Sequence, residues 1–171
     1  TEMQISIPAF IGEEYCPETR DRLRVYKELG DVRSLEDVDA CFEELVDRAG
    51  RPAEPVKNLF ELARLRLIAS EMGIARIEFS KSSASFEMSP IVEVEATKVI
   101  EFLGCTPGNW RMSSDGQSLL RPLSRDDFEQ GVQGIADAAN ALSIDEGDIL
   151  LDKVYLRIPN VEEIDDISNI K

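Results

Sequence analysis

The chain has 171 residues, 43% apolar and 31% charged, enough for one domain with a core or one domain plus an appendage, and unlike a disordered chain. Its 34 acidic residues against 19 basic ones leave a net charge of −15, which argues against nucleic acid or an anionic membrane as a direct partner, because both repel a strongly negative surface. There is no histidine, and Cys16, Cys41 and Cys105 are scattered without a CxxC, so zinc sites, Ser-His-Asp triads and Cys-His pairs are excluded or badly weakened.

Three scattered cysteines fit ordinary buried thiols in a reduced compartment, so a cytoplasmic location is expected. No apolar run approaches the roughly 18 residues of a membrane span. The first ten residues, TEMQISIPAF, have neither a basic n-region nor an apolar h-region, so no signal peptide is expected. They also lack an initiator methionine and enter a strand pattern at once, as a fragment of a longer chain would. Acidity has two readings here: it keeps the protein soluble, or it matches a basic protein surface.

In chain order, residues 3–9 alternate loosely through Ile5 and Ile7 and predict a strand ended by Pro8. Pro17 suits a first helical turn, and Glu18 and Asp21 favour its positive end. That helix is expected to reach about Gly30 and to bury Leu23, Tyr26 and Leu29. Ser34 with Asp37 forms a weak capping box for a second helix. Its residues Leu35, Val38, Phe42, Leu45 and Ala49 recur at helical spacing, and Gly50 stops it. Pro55 opens a third helix that runs to Gly73. Val56, Leu59, Phe60, Ala63 and Leu67 lie on one side of it and Leu62, Leu65 and Met72 on another, the mark of a central, buried helix. Arg64 and Arg66 within it read as snorkelling or carboxylate-paired rather than catalytic.

Residues 74–88 read as two strands around Lys81, Ser82 and Ser83. A helix over 93–103 follows, and then a hairpin signalled by Asp115-Gly116. Ser124 and Asp127 cap a last helix through Phe128, Val132, Ile135, Ala139 and Leu142. From residue 143 the character changes. The alternation of Val154, Leu156 and Ile158 reads as an edge strand over 152–158, added to the domain or to a neighbour, and the end is acidic. The expected organisation is a domain over 1–142 and an extension over 143–171. The expected fold is α+β: several helices on a small sheet built from an N-terminal strand and two β-hairpins.

No GxGxxG, GxxxxGK[ST], HExxH or GxSxG is present, so no phosphate-cradling loop and no cofactor are expected. The acidic pairs Glu13-Glu14, Asp126-Asp127, Glu162-Glu163 and Asp165-Asp166 keep open an acidic metal-dependent or small-molecule enzyme domain. Sequence neighbours do not face each other on a helix, however, and so many carboxylates make such pairs by chance. Trp110 and Tyr155 are read as packing residues rather than stacking platforms, since no basic residues interleave with them.

On the second helix, Val38, Phe42, Leu45 and Ala49 fall within about 60° of one another and Glu44, Asp47 and Arg48 on the opposite side. Periodicity alone reads those three charges as a solvated face. Five ordered elements change their meaning. The segments 5–8 (ISIP), 14–18 (EYCPE), 22–27 (RLRVYK), 44–50 (ELVDRAG) and 59–74 (LFELARLRLIASEMGI) resemble, in order and spacing, the C-terminal domain of the bacterial transcription-repair coupling factor family. The resemblance is specific over about 3–80 and thins to about 142. The departures are Glu28, where the family has arginine after the Tyr-Lys pair, and Ala49 in place of its phenylalanine.

The resemblance implies a regulatory domain that is not itself an enzyme, cut from an ATP-dependent DNA translocase that binds RNA polymerase and DNA. It implies intramolecular docking on an N-terminal module similar to the excinuclease B subunit, masking the surface that binds the excinuclease A subunit. It assigns the docking role to Glu44, Asp47 and Arg48.

Overall fold

In the computed structural model, which describes residues 1–91, 96–105, 110–131 and 134–135, the N-terminal strand β1 (Glu2–Ile5) turns Met3 and Ile5 to the core and Glu2 and Gln4 to solvent. Pro8, which has no backbone N–H, stands just beyond it. β1 pairs in parallel with β2 (Ile74–Phe79), Met3 opposite Ile77 and Ile5 opposite Phe79. Three helices fill the crossover between them: α1 (Thr19–Asp31), α2 (Leu35–Ala49) and α3 (Glu54–Glu71).

β2 and β3 (Ser83–Met88) form one antiparallel hairpin. After α4 (Ala96–Cys105), β4 (Arg111–Met112) and β5 (Ser118–Pro122) form the second, with Gly116 at φ 73° in its turn. Asp115 accepts a hydrogen bond from the Gln117 N–H there, the local bonding that makes Asp-Gly a turn former. A short helix, α5 (Arg125–Glu129), follows. The sheet order is β1-β2-β3-β5-β4, which gives the expected α+β architecture: an N-terminal strand and two hairpins in one five-stranded sheet, with helices.

Two apolar clusters fill the interior, and α3 belongs to both. Leu65, Ile68, Ala69 and Met72 pack with Ile77, Phe79, Phe86, Phe102, Trp110 and Leu119 at the sheet. Val56, Phe60 and Ala63 pack with Val25, Leu29, Val38 and Leu45 of α1 and α2. A helix apolar on two sides is thus central, as its pattern requires. Trp110 is a packing residue, its ring centroid 5.4 Å from Phe102 and 5.7 Å from Phe86.

The structure corrects the reading of α1. The helix begins at Thr19, and Pro17 lies ahead of it, its carbonyl accepting from Arg22 Nη1 at 2.8 Å. The buried residues are Val25 and Leu29; Leu23 is 64% exposed and Tyr26 38% exposed. Tyr26 is held at the surface because its hydroxyl accepts the Ile11 N–H at 2.8 Å, which anchors the loop between β1 and α1. The last long helix was expected to continue from Ser124 to Leu142. Residues 134 and 135 are helical and Ile135 is buried, whereas Val132, Ala139 and Leu142 lie outside the described residues. So do the 142/143 boundary, the strand expected over 152–158, and Tyr155.

Candidate docking surface

α2 starts where its sequence says it should. Ser34 accepts the Asp37 N–H at 3.2 Å, and Asp37 accepts the Ser34 N–H at 3.0 Å, a complete capping box. Backbone donors from Arg33 and Ser34 hold the Asp37 carboxyl below its ordinary value. Protonation therefore removes this cap as pH falls through that lowered value.

The other end stops at Gly50, with φ 79° and ψ −160°, a combination nearly restricted to glycine. The Tyr15 hydroxyl donates to the Gly50 carbonyl at 2.7 Å, so the 14–18 element is tied directly to the 44–50 element. A Cβ on Gly50 would meet nothing within 4 Å, so Gly50→Ala carries only backbone strain. It is expected to cost on the order of 1–3 kcal/mol, measured by urea denaturation. A change below a few tenths would mean that the C-terminal turn rearranges freely.

The inner face of α2 is fixed on α3. Val38 and Leu45 are buried, and Phe42 meets Phe60 edge to face at 5.0 Å between centroids. Ala49, on the core side, packs partly buried against the same cluster. Arg64 of α3 is buried and binds Asp39 of α2 through Nη2 at 2.5 Å and Glu61 through Nη1 at 2.6 Å. Its guanidinium carbon lies 6.0 Å from the Phe42 ring centroid. Arg66 Nη2 donates to the Leu29 carbonyl at 2.8 Å. Both arginines are therefore structural clasps between helices.

The outer face presents Glu44, Asp47 and Arg48, all exposed. Glu44 pairs with Arg48 at 2.9 Å, the i,i+4 order that favours a helix by a few tenths of a kcal/mol. Arg24 of α1 comes within 3.9 Å of Glu44 and 3.7 Å of Glu28. Asp47 makes no ion pair among the described residues. The three predicted residues thus form one ridge, a carboxylate–guanidinium pair flanked by an open carboxylate.

Sequence reasoning missed Arg24 and the Cys41–Glu28 contact, because the adjacency of α1 and α2 is tertiary. Cys41 is half-buried with its sulfur 3.9 Å from Glu28 Oε2. Burial, then the Glu28 and Glu44 carboxylates, push its thiol up to about 11. The thiol is therefore protonated at neutral pH and a poor nucleophile. Glu28 thus sets a carboxylate between Arg24 and Cys41. Of the acidic pairs, Glu13 is occupied by Arg22 at 3.1 Å, and 162–166 lie outside the described residues. No group of three Asp, Glu or Cys side chains converges as a metal site among the described residues, and no described helix is long and apolar enough to cross a membrane.

Comparison with known proteins places the chain in a family. Residues 5–99 match the model of the TRCF domain. The chain is 26% identical over 121 residues to the transcription-repair-coupling factor of Escherichia coli, an alignment covering 71% of this chain and 10% of that protein. It is 32% identical over 100 residues to that of Mycobacterium bovis, covering 57% of this chain and 8% of the relative. It therefore spans about a tenth of the length of these relatives. Its fold is similar to the crystal structure of the C-terminal domain of a transcription-repair coupling factor, with a TM-score of 0.66 at 17% identity, covering 82% of this chain and 89% of that one.

Proposed function

Because the chain belongs to the TRCF domain family, we propose that it is a regulatory docking domain of a transcription-repair coupling factor, contributing no chemistry of its own. The reading is that it docks on the N-terminal, excinuclease-B-like module of the same protein. Docked there, it covers the surface through which the excinuclease A subunit would bind. The rest of the protein would supply the ATP-dependent translocation along DNA and the engagement of RNA polymerase.

The observation that carries this reading is the Glu44–Asp47–Arg48 ridge. It is exposed, charged and mounted on a helix that is capped at Ser34, stopped at Gly50 and clasped from behind by Arg64. A rigid helix loses little entropy on binding. A polar ridge suits a contact that must be released, because charges set register and partner choice more than raw affinity. Release then needs an event that binds the open state better, by an amount equal to the docking energy it displaces.

The test is binding of this chain to the isolated N-terminal module. Reversing both carboxylates, Glu44→Lys with Asp47→Lys, is expected to weaken binding at least tenfold at low salt, about 1.4 kcal/mol or more. The gap should narrow in high salt, where exposed charges are screened. Binding that ignores the double reversal would move the docking surface off α2. Absence of any binding would overturn the regulatory reading itself.

A further inference from the structure

The outward face of α1 is chemically unlike the rest of this acidic chain. Arg20, Leu23, Arg24 and Lys27 recur at i, i+3, i+4 and i+7, span about 100° of the helix, and are all exposed. Only Asp31, one turn beyond Lys27, carries negative charge on that stripe. Arg24 makes two long contacts, at 3.7 and 3.9 Å, and neither Arg20 nor Lys27 forms an ion pair among the described residues.

Beside the stripe lies an apolar shelf. Leu23 is 64%, Phe10 48% and Tyr26 38% exposed. The Ile11 N–H to Tyr26 hydroxyl bond sets Phe10 next to Tyr26, and Leu23 is Tyr26's i−3 neighbour. Three cations and three large apolar groups on one small surface, in a chain of net charge −15, fit a ligand that is both acidic and apolar.

The chain carries such a segment. Residues 160–167 read NVEEIDDI: Glu162, Glu163, Asp165 and Asp166 supply four carboxylates, and Val161, Ile164 and Ile167 recur every third position. Between Ile135, the last described residue, and Asn160 lie residues 136–159, enough to extend about 80 Å. A domain of this size is roughly 35–40 Å across, so the segment can reach any point on its surface.

We propose that the acidic segment over residues 161–167 docks on the outward face of α1 of its own chain, its carboxylates on Arg20, Arg24 and Lys27 and its apolar residues on Leu23, Tyr26 and Phe10. This does not depend on the docking role of α2. The test is carbodiimide coupling of the full chain at low ionic strength, which joins an amine only to a carboxylate within contact distance.

The expected product is monomer-sized and links Lys27 to Glu162, Glu163, Asp165 or Asp166. It should disappear in 1 M salt, where exposed pairs are screened. It should fall at least fivefold in Arg20→Glu with Arg24→Glu, and likewise in Leu23→Ser. All three positions are exposed, so circular dichroism should be unchanged. Three results would each overturn the proposal: tail carboxylates that stay uncoupled, tail carboxylates coupled chiefly to Lys57, Lys81 or Lys98, and coupling to Lys27 confined to a dimer-sized product, which would assign the face to a second copy.

Discussion

Arg64→Ala is expected to remove about 3–5 kcal/mol of folding stability, because it strands a buried carboxylate rather than merely deleting a contact. Glu61 is 9% exposed at its side chain and has Arg64 as its ion-pair partner. Burial already raises the Glu61 carboxyl above its ordinary 4.5, outweighing the attraction of Arg64. Without the guanidinium it should rise further. The folded state then holds a proton that the unfolded state gives up. Stability must therefore fall as pH rises from about 4.5 through the raised value, and fall more steeply in the variant than in the parent chain.

Urea denaturation at pH 5 and pH 8 measures both effects. Adding Glu61→Leu to the variant should recover part of the loss, since no charge is left without a partner. A loss under about 1 kcal/mol with no added pH dependence would mean that water reaches Glu61 and that the clasp is ornamental. Because Arg64 also holds Asp39, the same variant should loosen α2, and docking should weaken with no charge on the ridge altered.

Phe60→Ala and Phe102→Ala are each expected to cost about 3–5 kcal/mol, as fully buried phenylalanines do when truncated. The two lie in different apolar clusters, yet α3 contributes to both. One cooperative transition is therefore expected, with both variants shifting it. Trp110, the only tryptophan, sits in the sheet cluster and reports on that side alone. If Trp110 fluorescence keeps its parent midpoint in Phe60→Ala while far-UV circular dichroism shifts, the clusters unfold separately and the integrating role of α3 fails.

Much of this was legible because local chemistry and tertiary structure agree. Ser34 and Asp37, Gly50, Pro55 and Gly73 bound their helices by backbone constraints that need no partner. Asp115-Gly116 made its hairpin for the same reason. The two-sided apolar pattern of α3 announced its central place.

α1 misled because Leu23, Val25, Tyr26 and Leu29 offer two overlapping stripes. The structure turns Val25 and Leu29 inward against α2 and α3 and leaves Tyr26 at the surface, where its hydroxyl accepts the Ile11 N–H. Periodicity carries no record of such a bond. The exposure of Glu44, Asp47 and Arg48 could be read from a helical wheel, but Arg24 beside Glu44 could not, since it depends on how two helices pack. The parallel pairing of β1 with β2 was equally invisible, because an isolated strand does not encode which edge it joins.

That pairing has a consequence in time. β1 is separated from its partner by the whole of α1, α2 and α3. At roughly 5–20 residues per second of synthesis, β1 leaves the ribosome about 4–14 s before β2 does. β2 and β3, by contrast, are neighbours and can zip together at once. β1 therefore waits for its partner while all three helices are being made. For those seconds Met3 and Ile5 stand without the strand that pairs with them, and the nascent domain is open to wrong pairing along β1.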